Sequence, residues 1–181
     1  GEGPDTIIED LVIRNGYLSS DGGGMYVLGS SPTINNCTFT NNSAGDGGGF
    51  GGGLGLEQSA SSITSCTFTE NTASWGSGLA ITESTASVSQ CTFSENTAEV
   101  YGGAILNINS PSNLNDCLFF NNHAERGGGI YCYESTPSIT NCSFTGNSSL
   151  YGGAGMVNYV SSPIIVGCEF SNNSCENNIG G

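Results

Sequence analysis

The sequence predicts an all-β fold, a parallel β-helix of about seven rungs with about 25–26 residues per rung, spanning residues 1–181 as a single domain. Three observations support this prediction. The string Cys-x-Phe-x-x-Asn occurs six times; successive cysteines are 29, 25, 26, 25 and 26 residues apart; and apolar residues recur in phase with it. A fixed period of this length is typical of a solenoid. The strings begin at Cys37, Cys66, Cys91, Cys117, Cys142 and Cys168.

The strands follow from the positions around each cysteine. Cysteine and phenylalanine are two residues apart and therefore share one face of a strand, which predicts two interior ladders. An aliphatic residue stands three positions before each cysteine and an apolar residue twelve before, as Ile63 and Leu54 do for Cys66. This pattern predicts about three short strands per rung. The phenylalanine ladder comprises Phe39, Phe68, Phe93, Phe119, Phe144 and Phe170.

A further rung at the start of the chain lacks the cysteine. Ile8, Leu11 and Ile13 have the same spacing as Ile34, Cys37 and Phe39, which brings the predicted number of rungs to seven.

The turns follow from asparagine and glycine. Asparagine closes each string and suits a left-handed turn, and stacked amides can bond from rung to rung. The predicted asparagine ladder comprises Asn42, Asn71, Asn96, Asn122, Asn147 and Asn173. Runs of small residues, such as 51–53 and 127–129, predict a sharp corner with close backbone approach.

The repeats resemble those of the chlamydial polymorphic outer-membrane proteins, which combine Gly-Gly-Ala-Ile/Leu/Val with Phe-x-x-Asn. Residues 102–105 match the first motif in full, and Phe-x-x-Asn is present in six rungs. The resemblance covers nearly the whole chain. It implies a right-handed β-helix on a cell surface, often as the passenger of an adhesin.

Composition narrows the possible partners. Sixteen acidic side chains stand against Arg14 and Arg126, no lysine is present, and the net charge is −14. This balance argues against binding to nucleic acid or to an anionic membrane surface. No segment is long and apolar enough to predict insertion into a membrane. We expect an extracellular or cell-surface protein, with itself, a host or matrix surface, or glycans as partners.

The eight cysteines permit two interpretations. An oxidising compartment would favour disulfides. Stacked interior cysteines, however, have parallel Cα–Cβ vectors at nearly 5 Å, which favours buried thiols acting as small hydrophobic residues. Cys132 and Cys175 lie outside the column and are the expected reactive or bridging thiols. Because no Cys-x-x-Cys or Cys/His cluster occurs, neither a metal site nor a cofactor is predicted.

The candidates for catalysis are few. His123, Glu125 and Arg126 are close in sequence and would fit an acid–base site like that of β-helix polysaccharide lyases. Those enzymes need several acidic side chains on neighbouring rungs, whereas acids such as Asp21 and Glu57 are scattered along this sequence. A solvated turn is the preferred interpretation, and we expect no enzymatic activity.

A stripe of aromatic residues is the strongest indication of a binding surface. It lies about sixteen residues before each cysteine and includes an arginine that can stack on the rings. Strand alternation also turns apolar residues of the later rungs outward, which predicts an exposed contact surface or a corner that stabilises itself. The stripe is Phe50, Trp75, Tyr101, Arg126 and Tyr151, and the outward set is Leu106, Ile108, Tyr131, Tyr133 and Tyr159.

Three functional hypotheses result. The first is a non-catalytic structural or adhesive surface module. Because neither end shows a capping pattern, it is expected either to stack end to end into filaments or to be a segment of a longer β-helix. The second is a carbohydrate-binding or polysaccharide-processing β-helix. The third, minor, hypothesis is ice binding, since outward Thr-x-Thr pairs such as Thr67 and Thr69 recur on several rungs.

Overall fold

The computed structural model describes residues 6–45 and 47–177, which form twenty-seven β-strands. The first three rungs contain β1 (Ile7–Glu9), β2 (Val12–Arg14), β3 (Tyr17–Leu18) and β4 (Met25–Leu28); β5 (Thr33–Asn35), β6 (Thr38–Thr40), β7 (Ser43–Ala44) and β8 (Leu54–Glu57); and β9 (Ser62–Thr64), β10 (Thr67–Thr69), β11 (Thr72–Trp75) and β12 (Leu79–Thr82).

The remaining rungs repeat this order. They contain β13 (Ser87–Ser89), β14 (Thr92–Ser94), β15 (Thr97–Tyr101) and β16 (Ile105–Ile108); β17 (Asn113–Asn115), β18 (Leu118–Phe120), β19 (His123–Ala124) and β20 (Ile130–Tyr133); β21 (Ser138–Thr140), β22 (Ser143–Thr145), β23 (Ser148–Ser149) and β24 (Met156–Tyr159); and β25 (Ile164–Val166), β26 (Glu169–Ser171) and β27 (Ser174–Cys175).

Each strand pairs in parallel with its equivalents in the neighbouring rungs, so the coil has four faces. Sheet 1, which begins with β1, sheet 2, which begins with β2, and sheet 3, which begins with β3, have seven strands each. Sheet 4, which begins with β4, has six. The pairing is in register: Phe68 lies opposite both Phe39 and Phe93. The prediction of an all-β parallel β-helix of about seven rungs is confirmed.

The prediction of three strands per rung is wrong, because each complete rung has four. The strand that the sequence pattern missed belongs to sheet 3 and is only two residues long in most rungs. Its interior residue is small, as Ala44, Ala73 and Ala98 show. A two-residue strand with one small buried side chain leaves no apolar alternation to detect.

Every corner is turned by a residue with left-handed backbone. In the third rung these residues are Ser65, Glu70, Gly76 and Glu83, with φ of 54°, 55°, 64° and 49°. The expectation that the ladder asparagines adopt this conformation is wrong, since the preceding residue does so, as Glu70 does before Asn71. The left-handed residue faces outward, and the asparagine after it turns inward.

The inward asparagines hold the rungs together. Asn96 Nδ2 donates to Asn122 Oδ1 at 2.9 Å and to the Phe68 carbonyl at 2.9 Å. Asn96 Oδ1 accepts hydrogen bonds from the backbone N–H and the side-chain amide of Asn71. The same pattern connects the other ladder asparagines, so a continuous buried amide chain runs along the coil.

The phenylalanine ladder lies beside this chain in the core. The rings of successive rungs are stacked, with centroids 4.5–5.0 Å apart and planes within 6° of parallel. The glycine corner lies against them: a Cβ added at Gly78 would approach the Phe93 ring to 3.0 Å and the Ala104 carbonyl oxygen to 2.7 Å. The small residues there are therefore required by close packing.

The cysteine column is also interior. The Cys37 N–H donates to Cys66 Sγ and the Cys66 N–H to Cys91 Sγ, both at 3.4 Å. The pKa of the Cys91 thiol is raised by the neighbouring Cys117 and Cys66 sulfurs and by burial. These sulfurs occupy the positions of small hydrophobic side chains and bond to the backbone.

The expectation of a reactive Cys132 is wrong. Cys132 lies in a second interior column, on β20, and is fully buried. Burial raises the pKa of its thiol to about 12, and a hydrogen bond with Asn107 only partly opposes this. Cys175 is half-buried at the last described rung, where its Sγ donates to the Leu150 carbonyl.

Within the described residues, no helix is long and apolar enough to cross a lipid bilayer.

Candidate functional site

The outer face of sheet 4 changes character along the coil. Its strands turn their first and third residues inward, as Leu79 and Ile81 do, so the second and fourth face outward. The pairing places these outward residues in two straight columns. One column is Tyr26, Gly55, Ala80, Leu106, Tyr131 and Val157, and the other is Leu28, Glu57, Thr82, Ile108, Tyr133 and Tyr159.

The corner between sheets 3 and 4 forms a wall beside these columns. Phe50 pairs with Trp75 and Tyr101 with Arg126 through isolated parallel bridges. The Phe50 and Trp75 rings meet edge to face with centroids 4.5 Å apart, and the ring centroids of Trp75 and Tyr101 are 6.2 Å apart. The stripe predicted from sequence is therefore continuous from Phe50 to Arg126. Tyr151 does not line this surface and is exposed.

The wall and the columns enclose a groove of about 400 Å³. We call it the aromatic groove. Leu106 and Tyr131 form its buried floor, Ile108 and Tyr133 are partly exposed, and Tyr159 is 52% exposed. The lining residues are Trp75, Tyr101, Leu106, Ile108, Arg126, Tyr131, Tyr133 and Tyr159. The structure thus brings together two sets of residues that the sequence singled out separately.

The tyrosine rings in the groove are stacked on one another. The Tyr101 and Tyr131 centroids are 4.4 Å apart, and the Tyr133 and Tyr159 centroids 5.7 Å apart with planes 9° from parallel. Because each pair occupies neighbouring rungs, the phenol groups form rows along the coil. Such rows offer hydrogen-bond donors and acceptors at the spacing of the rungs.

The polar groups of the aromatic groove are mostly neutral. Burial and the neighbouring Tyr101 raise the pKa of Tyr131, and Arg126 opposes the rise. A hydrogen bond with Glu134 raises the pKa of Tyr133. Both phenols therefore keep their protons at neutral pH. Trp75 Nε1 is buried and has no hydrogen-bond partner among the described residues.

A second pocket, of about 200 Å³, lies on the earlier rungs of the same face. We call it the acidic pocket. The Tyr26 hydroxyl donates to the Glu57 carboxylate, and burial followed by this bond raises the pKa of Tyr26 to about 12. Asp21 accepts the Phe50 backbone N–H at 2.9 Å. Asp21 and Glu57 look scattered in the sequence, but the fold brings them into one pocket, and Gly55 leaves its floor open.

The trio considered for acid–base chemistry is divided. His123 lies on β19 of sheet 3, where its Nδ1 is 2.9 Å from Ser148 Oγ. Arg126 lines the aromatic groove instead. No group of three or more His, Cys, Asp or Glu side chains in residues 6–45 and 47–177 is arranged to hold a metal ion.

Comparison with known proteins identifies the fold family. No curated protein and no solved structure matches the chain. The family model described as the right-handed β-helix region matches residues 2–136 and again residues 48–181. Together these matches cover nearly all of the chain and agree with the four-sheet coil. The chain belongs to the right-handed β-helix family.

Proposed function

We propose that this chain is a non-catalytic, extracellular β-solenoid that acts as an adhesive surface module and binds carbohydrate in the aromatic groove. The observation that carries the proposal is the convergence of one tryptophan, four tyrosines and Arg126 on a single face of an otherwise regular coil. A concave surface with apolar walls and a few polar groups is the usual form of a ligand site.

The chemistry of the groove fits a sugar. Each pyranose ring has apolar C–H faces and a rim of hydroxyl groups that both donate and accept. Tyrosine and tryptophan match this combination, because each joins a large apolar ring to a polar group. Arg126 adds further donors, and its side chain is exposed at the edge of the groove.

Binding rather than turnover is supported by the lining itself. None of the eight residues that line the aromatic groove carries a carboxylate or an imidazole. General acid–base cleavage of a glycosidic bond uses a pair of carboxylic groups beside that bond. Within the aromatic groove, a ligand held against these tyrosines would therefore meet hydrogen-bonding groups without a catalytic pair.

The surface location is proposed from the repeats. The Phe-x-x-Asn and Gly-Gly-Ala-Ile motifs resemble those of the chlamydial surface proteins, and the net charge of −14 keeps an exposed, strand-rich coil from self-association through its faces. On this proposal the rigid coil displays the groove toward a host or matrix glycan.

A glycan array probed with the purified chain tests the proposal. We expect binding to a subset of neutral glycans, lowered at least about tenfold in a Tyr133→Ala/Tyr159→Ala double variant. Tyr17→Ala is the matched control, because Tyr17 is 65% exposed on β3, far from the groove. Equal binding by the double variant, or release of new reducing or unsaturated ends from the bound glycan, would refute it.

A second candidate function, end-to-end assembly, is favoured by the faces at both ends of the described coil. Leu11, which holds the position of the column cysteines, is 48% exposed in the first rung, and Ile165 and Phe170 are 41% and 46% exposed in the seventh. Strand edges with exposed core side chains accept a further rung in register, from the same polypeptide or a second copy. Light scattering over a concentration series tests this, and a concentration-independent monomer mass would refute stacking between copies.

A further inference from the structure

We propose that the aromatic groove and the acidic pocket form one extended site for a linear, neutral oligosaccharide that lies along the axis of the coil. This inference rests on the proposed function and specifies its ligand: a chain of several sugar units, with the acidic pocket as a second subsite. Three features of the structure support it: register, a shared wall and complementary hydrogen bonding.

The register makes the two cavities neighbours on one surface. Glu57 of the acidic pocket pairs with Thr82, and Thr82 pairs with Ile108 of the aromatic groove. Because Thr82 itself lines the acidic pocket, the linings of the two cavities lie on adjacent rungs. In the neighbouring column Ala80 of the acidic pocket pairs with Leu106 of the aromatic groove, and the small alanine side chain forms no barrier between the cavities.

The wall is also continuous. Phe50 lines the acidic pocket and Trp75 lines the aromatic groove, and their rings are in edge-to-face contact. A ligand that leaves one cavity along the axis therefore remains against aromatic surface. Since strands in register form straight columns, the combined channel suits an extended ribbon-like polymer whose unit length is comparable to the rung spacing.

The two halves of the channel differ in the hydrogen-bonding groups that they present to a ligand. In the acidic pocket, Asp21 and Glu57 only accept hydrogen bonds, and the Tyr26 hydroxyl is already committed to Glu57. In the aromatic groove, Arg126 only donates, and the tyrosine hydroxyls both donate and accept. A sugar hydroxyl serves both halves, because it donates to a carboxylate and accepts from a guanidinium or a phenol.

The same contrast disfavours other linear polymers. Consecutive prolines lack N–H groups, so a proline-rich segment would leave the Glu57 carboxylate without a donor. A polyuronate would place a carboxylate beside Glu57 and Asp21, and the chain's net charge of −14 adds to that repulsion. Neutral glycans meet neither difficulty.

Calorimetric titration with linear β-glucan oligosaccharides, from disaccharide to hexasaccharide, tests the inference. We expect the affinity to rise at least about tenfold between the shortest and longest oligomers as the second subsite is filled. Glu57→Gln should lower the hexasaccharide affinity about fivefold, because a charge-assisted hydrogen bond is replaced by a neutral one. It should leave the disaccharide affinity unchanged.

Glu83→Gln is the matched control. It removes the same charge from the next rung, at an exposed corner where the equivalent residue is already Gln58. Affinity that does not depend on length, or equal effects of Glu57→Gln and Glu83→Gln, would overturn the extended site while leaving a glycan-binding groove. Failure of every oligomer to bind would likewise overturn the extended site, whereas preferential binding of a polyproline peptide or an oligogalacturonate would overturn both.

Discussion

Asn96→Ala tests whether the buried amide chain holds the rungs together. Asn96 makes four side-chain hydrogen bonds: its Oδ1 accepts from the N–H and Nδ2 of Asn71, and its Nδ2 donates to the Phe68 carbonyl and Asn122 Oδ1. The substitution leaves the Asn71 N–H buried without an acceptor, which costs about 1–3 kcal/mol. The other three bonds contribute about 1 kcal/mol each. We therefore expect a loss of about 4–6 kcal/mol in the free energy of unfolding.

Urea denaturation followed by circular dichroism measures this loss. Thr97→Ala is the matched control, since Thr97 is the next residue, lies on β15 and is exposed, and we expect it to change stability by less than about 0.5 kcal/mol. Hydrogen exchange gives an independent readout: the Asn71 amide should lose protection, whereas the amide of residue 96 keeps its bond to Asn122 Oδ1. If Asn96→Ala costs no more than Thr97→Ala, the amide chain does not stabilise the coil.

Three further predictions concern the cysteines and one strained corner. Cys91→Ala should destabilise by about 1–2 kcal/mol through lost packing, measured by urea denaturation, and a bridged Cys91 in non-reducing mass spectrometry would contradict the packing account. Burial raises the pKa of the Cys132 thiol to about 12 from an ordinary 9.0. The contribution of this thiol to the free energy of unfolding should therefore be complete below pH 9 and should be lost as the pH rises toward 12. In a pH series, the melting temperature of Cys132→Val should therefore fall less between pH 9 and pH 12 than that of the unsubstituted protein. An equal fall in both proteins would contradict this prediction. Val160 is β-branched, 71% exposed and left-handed with φ of 52°, so Val160→Asn should stabilise by about 1 kcal/mol, and any destabilisation would refute the strain argument.

The sequence was sufficient for the coil because its interior ladders are built from like residues at a fixed period. Cysteine, phenylalanine and asparagine recur in phase and are all buried in the middle rungs, as Cys91, Phe93 and Asn96 show. Because the rungs stack in register, residues one period apart in the sequence pair with each other in neighbouring rungs. The number of rungs followed from the spacing alone.

One ladder was missed although its signal is in the sequence. A serine stands seven residues before every cysteine of the column. From Ser84 onward its hydroxyl accepts a backbone N–H from the preceding rung, as Ser84 Oγ does from Ser59 and Ser110 Oγ from Ser84. Serine is common in turns, so its recurrence did not stand out against the many other serines of this chain.

Only part of the candidate site could be predicted from the sequence. The aromatic stripe and the outward residues of sheet 4 were each predicted, but their convergence depends on a corner whose geometry is set by glycines. The acidic pocket was missed because Asp21 and Glu57 are 36 positions apart and belong to different phases of the repeat. Only the pairing of β4 with β8, which places Tyr26 and Glu57 on adjacent strands, reveals that they share a surface.

The fluorescence of Trp75 tests the central claim most directly, because it is the only tryptophan in the chain and it lines the aromatic groove. Titration with linear β-glucan oligosaccharides should produce a saturable change in its emission, with the same affinity as calorimetry reports. The Tyr133→Ala/Tyr159→Ala variant should weaken that response at least about tenfold. Glycan binding that leaves the emission of Trp75 unchanged would show that the aromatic groove is not the site.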